Sequence, residues 1–238
     1  MQAHSVAGPR KEMDMNLSHY AALVLVSATW ATSSHVFAEP ASPSGKKLIE
    51  YGWGVPTLPY LAEHTPAVEV RPFNGIVFKL AGGSNVLEPQ RDTGSRFEND
   101  WAAAGQVTWN RFTDNFVLMH AASEQDWFSD NHWAHISERA ARMAQIARQA
   151  GCVGVCFDPE PYGSNPWSYL KAAHKTNKTF TQYKNIARVR GTQFMHAIES
   201  EMPAPKVLTF FLHSVFPELL LPMPEKLREE RLSRHRYG

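Results

Sequence analysis

Apolar and polar positions follow two periods along the chain, and the switches between them mark its elements. Residues 47–55 (Lys-Leu-Ile-Glu-Tyr-Gly-Trp-Gly-Val) form a short strand-like run stopped by Pro56. Residues 57–64 suit one or two helical turns capped by Thr57. Residues 75–81, rich in β-formers and closed by Gly82 and Gly83, predict a second strand. Residues 84–112 contain Gly94, Gly105, Trp101 and Trp109 and only a weak helical period near 98–104, which predicts a long loop with a short helix. A third strand follows at 115–120. The clearest helix spans 130–150, with Trp133, Ile136, Ala140, Met143, Ala144 and Ala147 on one face and Gly151 as its stop. Residues 152–158 are nearly all apolar or small, as in a parallel strand buried on both faces. A helix from about 179 to 201 ends before Pro203, a fifth strand covers 206–213, and 225–235 is a charged helical stretch.

Five strands separated by helices or loops argue for right-handed crossovers and a parallel sheet in an α/β fold. No Gly-rich phosphate loop follows any strand, which removes the usual reason for an open nucleotide-binding sheet. Polar residues gather instead at the C-terminal strand ends: Glu50 and Trp53, Lys79, His120, Asp158 and Glu160, and His213. A rim of that kind belongs to a (β/α) TIM-barrel-like fold. A complete eight-stranded barrel takes about 250 residues, so five strands predict an incomplete one, truncated at its C-terminus or completed by another chain. The open parallel edge is a route to self-association.

Before this domain, residues 15–38 carry an apolar run from Ala21 to Trp30, then Val36 and Ala38 at the spacing signal peptidase needs, with Arg10 and Lys11 upstream. The expected organisation is a signal peptide at 1–38, a linker at 39–46 and the barrel-like domain at 47–238, in a secreted or periplasmic protein. The apolar run is shorter than the roughly 20 residues that span a bilayer, so no membrane span is expected after cleavage. Twenty-four Lys and Arg against 23 Asp and Glu leave a charge of +1, which supplies no basic excess for nucleic acid. Cys152 and Cys156, four apart on a strand, would lie about 13 Å apart, beyond bridging distance, and are expected to be buried free thiols.

The chemistry concentrates in Gly154-Val-Cys-Phe-Asp158-Pro159-Glu160-Pro161-Tyr162. Residues two apart on a strand share a face, so Asp158 and Glu160 are expected to project together, with the small Gly154 and Cys156 beside them leaving room for a ligand. Mutual repulsion would raise one of the two pKa values. Glycosidic cleavage asks for such a pair, an acid for the leaving oxygen and a second carboxylate to orient, stabilise or attack. His120, Lys79 and His213 are candidate polar contacts to a sugar, and Trp53, Tyr162 and Trp167 candidate stacking surfaces. No HExxH or paired CxxC pattern is present, and neither a metal nor a cofactor is assigned.

The strand ending Phe157-Asp158-Pro159-Glu160 resembles the acidic fourth-strand signature of chitinase-type barrel glycoside hydrolases, with Gly154 and Cys156 standing where that motif has further acids. Residues 51–56, 71–78, 114–116 and 154–162 together resemble exported glycoside-hydrolase-like barrel proteins of environmental bacteria. The resemblance implies a carbohydrate substrate, Glu160 as general acid and Asp158 as its partner. Two other readings stay open: a non-catalytic carbohydrate-binding or scaffold barrel, and a metal-dependent hydrolase using His120, Asp158, Glu160 and His213.

Overall fold

The computed structural model describes residues 45–92, 95–123, 125–163, 165–210 and 216–235. The expected signal peptide, all but the end of the linker, and His213 lie outside the described residues. Strands β1 (Ile49–Glu50), β2 (Gly75–Phe78), β3 (Phe116–His120), β4 (Gly154–Asp158) and β5 (Lys206–Thr209) form one sheet in the order β1-β2-β3-β4-β5, every pair parallel. Helices α1 (Leu58–Val68), α2 (Glu98–Ala104), α3 (Asp130–Gln149) and α4 (Phe180–Glu201) fill the four crossovers, and α5 (Pro217–Leu220) and α6 (Glu225–Arg234) follow β5.

Sequential strand order joined by right-handed crossovers puts the helices on one side of the sheet, the rule that builds a barrel wall. The packing follows it. Ile76 and Phe78, Val117 and Met119, and Val155 meet Leu58, Leu61, Ile136, Met143, Ile146 and Ile198 of the helices in one core cluster. The opposite face carries Val77, Phe116, Leu118 and Cys156, with Ile49, Val55, Leu208 and Phe210 against them, a cluster without any helix residue. Tyr51, one residue past β1, packs on Phe210, one residue past β5, with ring centroids 4.7 Å apart. Strands at opposite ends of the order are thus drawn together, and the sheet is a curled half-barrel.

Local chemistry explains the helix boundaries. Thr57 caps α1, Ser129 caps α3, and Thr179 forms a full capping box with Gln182 at α4. Gly151 takes a φ of +73° just beyond α3, a conformation that favours glycine. Several elements depart from the sequence pattern, and β1 and α1 show why. The first strand contracts to two residues, since the run after it holds two glycines and Pro56. Helix α1 instead runs past residue 64 and through Pro66, because Leu58, Leu61, Thr65 and Val68 form one buried stripe and the Thr65 hydroxyl bonds the Leu61 carbonyl at 2.5 Å. Both cysteines are free, with Cys156 buried and Cys152 only partly so.

Gly154 has a different role from the expected one of leaving space for a ligand. It pairs in register with Lys206, and a Cβ on it would lie 1.8 Å from the Lys206 carbonyl oxygen. Gly75 stands in the same relation to Asp114, whose carbonyl oxygen a Cβ would meet at 1.8 Å. Both glycines are required by the close approach of a neighbouring backbone.

Buried polar groups tie the connections to this frame. Glu69, at the end of α1, accepts backbone N–H bonds from Asn110, Arg111 and Phe112 at 3.1, 2.8 and 2.7 Å. Asn115 is fully buried, accepting from Ile76 N–H and donating to the Phe112 carbonyl. The Arg139 guanidinium, 1% exposed on α3, grips the 82–97 loop through Asp92 at 2.9 Å and the carbonyls of Glu88 and Gln90. Replacing Glu69 with Ala is expected to cost on the order of 3 kcal/mol, since three backbone N–H groups, that of the buried Phe112 among them, lose their acceptor together. Burial draws the Glu69 carboxyl upward, but the three backbone donors outweigh it and hold it below the ordinary 4.5. Its contribution is therefore complete above that ordinary value and fades as pH falls through the lowered one. Denaturant titrations across the acid range check both points: the gap between wild type and Glu69→Ala narrows on acidification.

Candidate functional site

The ends of β3 and β4 lie side by side, with His120 in register with Asp158. Asp158 is 4% exposed. Its Oδ2 accepts the Tyr51 hydroxyl at 3.1 Å, and its Oδ1 accepts the backbone N–H of Glu160 at 3.0 Å. Strand β4 ends at Asp158, so the two-residue alternation stops before Glu160 and the chain turns, closed by the Asp158 side chain. The Glu160 carboxylate accepts the Tyr162 hydroxyl at 2.5 Å. Its carbonyl accepts a bond from His120 Nε2 at 3.1 Å, which makes that nitrogen the protonated one, because a carbonyl only accepts.

Tyr51, Asp158, Glu160, Tyr162 and His120 thus form one bonded chain along the strand ends, and the His120 and Tyr162 rings lie 6.0 Å apart. The two acids have unlike settings. Asp158 is enclosed and holds two donors, whereas Glu160 stands beside Tyr162, which is 65% exposed. Burial, and next the Asp158 carboxylate, push the Tyr51 phenol well above its ordinary pKa of 10.0. The bond to Glu160 is the main cause that raises Tyr162 to about 12. Burial, then Asp158, raises the Cys156 thiol to about 12. Asp158 therefore faces neutral phenol and thiol groups near neutral pH.

The remaining candidates spread around this chain. Trp53 is 97% exposed, with no ring partner among the described residues. Lys79 is exposed, and its backbone bonds Pro56 and Leu58 across the first crossover. It shares a cavity of about 590 Å³ with Glu50, Arg71 and Tyr60. Glu50 is nevertheless committed to Arg71, Nη1 to Oε1 at 2.5 Å. Trp167 points into the core on the helix side, donating its indole N–H to the Ala121 carbonyl at 2.9 Å and packing edge-on against Trp127 and Phe157. Trp127 in turn stacks on Trp133 and donates to the Pro166 carbonyl.

Two features have no counterpart among the residues chosen from sequence. Tyr51 lies 107 positions from the carboxylate it bonds, and its only local signal is that it continues the alternation of Ile49. The second is a cluster in the connections after β3 and β4, where Asp126 Oδ1 bonds His174 Nε2 at 3.0 Å and Asp126 N–H donates to His132 Nδ1 at 3.3 Å. Among the described residues, no three His, Cys, Asp or Glu side chains come together as a metal-binding group. No helix of the described residues is long and apolar enough to cross a membrane.

Comparison of the chain with protein-family models, curated proteins and solved structures finds no match. Its site is defined by its own geometry. Trp167 and Tyr162 separate packing from surface chemistry: Trp167→Ala is expected to destabilise by about 3–5 kcal/mol, and Tyr162→Phe to stay within about 0.5 kcal/mol. Chemical denaturation of the two variants measures both.

Proposed function

We propose that this protein is an exported glycoside hydrolase whose general acid is Glu160 and whose second carboxylate is Asp158. The observation that carries the reading is the arrangement of those acids at the C-terminal ends of parallel half-barrel strands: Asp158 enclosed and bonded by Tyr51, Glu160 one turn further out and bonded by Tyr162. That is the end of a (β/α) fold where substrates are bound. The likeness of the Asp-x-Glu strand end to chitinase-type enzymes supports the same assignment.

In this reading Glu160 gives its proton to the glycosidic oxygen as the bond to the anomeric carbon breaks. The Asp158 carboxylate stabilises the positive charge that develops on the sugar, and water adds its hydroxyl to the anomeric carbon while its remaining proton returns to Glu160. Tyr51 holds the Asp158 carboxylate in place, and Tyr162 orients Glu160. One observation favours a second reading. Both Asp158 oxygens are already engaged by protein donors, as they would be if the turn served only to shape a non-catalytic carbohydrate-binding surface.

The two readings part on one substitution. Glu160→Gln is expected to reduce turnover of aryl glycosides or polysaccharides by about 10²- to 10⁴-fold while sugar binding and stability are retained. Turnover equal to wild type removes Glu160 as the acid, and binding without turnover in the wild type selects the second reading. Export has its own check: the mature protein recovered from outside the cytoplasm is expected to begin at Glu39, as read by mass spectrometry of its N-terminal peptide.

A further inference from the structure

We infer that the cavity between the β3–α3 and β4–α4 connections is a binding site for a neutral, hydroxyl-rich small molecule, with Gln125 as its recognition residue. The cavity measures about 620 Å³ and its wall includes Gln125, Asp126, Trp127, Asn165, Pro166 and Lys171. That volume falls in the range of small-molecule sites, and the connections that follow strand C-terminal ends are where α/β sheets bind ligands. Neither Asp158 nor Glu160 lines it.

Much of the wall is already fixed by its own bonds. Asp126 Oδ1 accepts from Phe128 N–H at 2.9 Å and from His174 Nε2 at 3.0 Å, and Trp127 gives its N–H to the Pro166 carbonyl at 3.1 Å. His132 donates from Nε2 to the Leu87 carbonyl at 3.2 Å, so that nitrogen carries the proton, while its Nδ1 accepts from Asp126 N–H. This pattern is that of the neutral ring. Gln125 differs from these neighbours. Both its amide oxygen and its amide nitrogen are buried, and neither has a hydrogen-bond partner among the described residues. A buried amide in that state bears the full loss of hydration with no return, and a ligand group that both donates and accepts would supply what it lacks. Because the amide atoms are shielded in the free protein, engagement proceeds by a side-chain rotation that carries them to the cavity, within the staggered rotamers open to a glutamine.

Charge selects among ligands. One carboxylate, Asp126, and one ammonium, Lys171, offset each other, and His132 is neutral. The wall has no cationic excess to attract phosphate or a carboxylate. Hydroxyl groups suit the donor and acceptor pair of an amide, and neighbouring hydroxyls on one ring suit both of its ends.

This inference stands on Gln125 and the cavity, independently of the acid pair. Ligand-observed NMR with cellobiose, N,N′-diacetylchitobiose and myo-inositol, each to about 50 mM, is expected to give saturable binding of at least one. Gln125→Leu and Gln125→Met are both expected to raise Tm and to weaken that binding roughly tenfold or more. Glu160→Gln leaves it unchanged, so loss of turnover and loss of this site are read separately. Saturation by none of the three, binding of inorganic phosphate in their place, undiminished binding in both Gln125 variants, or a fall in Tm in both overturns the inference.

Discussion

The constraint that governs this molecule is that parallel strands laid down in sequential order force each crossover back to the same side of the sheet. A chain that builds β1 to β5 in that way covers one face with helices and leaves the other to whatever the strands themselves carry. The division explains why Ile76, Phe78, Val117, Met119 and Val155 meet helix residues while Val77, Phe116, Leu118 and Cys156 meet only strand and loop residues. It also explains the curl. With no second layer among the described residues to hold it flat, the twisted sheet bends toward that face until Tyr51 reaches both Phe210 and Asp158.

Most acidic groups around the sheet serve the fold, and the pair at the end of β4 stands apart. Toward the start of the strands, carboxylates serve the fold. Glu69 collects backbone N–H bonds, and Asp114 is held below its ordinary pKa because its bonds to Lys206, Thr113 and Lys47 outweigh the effect of burial. Asp100 belongs with the structural acids too, since it accepts from Ala81 and Gly82, although burial outweighs those bonds and raises its pKa. At the other end of β4 the acids meet tyrosine hydroxyls. A phenol donates one bond and adds no charge, so it orients a carboxylate without neutralising it.

The fold was legible in the sequence wherever the signal was local. The apolar stripe of 133–147 and Gly151 delimit α3 almost to the residue, and the helix expected from about 179 to 201 is α4. Burial of 154–158 on both faces could be read from its composition. What was not legible depended on distance along the chain. Nothing local decides between a stacking surface and a core position for Trp167, which Trp127 and Phe157 receive in the core, and Tyr51 has no local mark of its bond to Asp158. At the site, the position of Asp158 at a strand end was readable, but its relation to Glu160 was not, because the alternation rule holds only while the strand continues. Gly154 carried a double meaning: a small residue reads equally as space for a guest or as contact with a neighbour, and the approach of Lys206 decides for contact.

That approach bears on how this chain can change over generations. Codons 75 and 154 each specify a residue whose smallest chiral replacement would intrude on an adjacent backbone at 1.8 Å. Drift there is barred by geometry alone. Substitution is cheaper in the connections beyond the strand tips, while the spacing of the staves stays frozen.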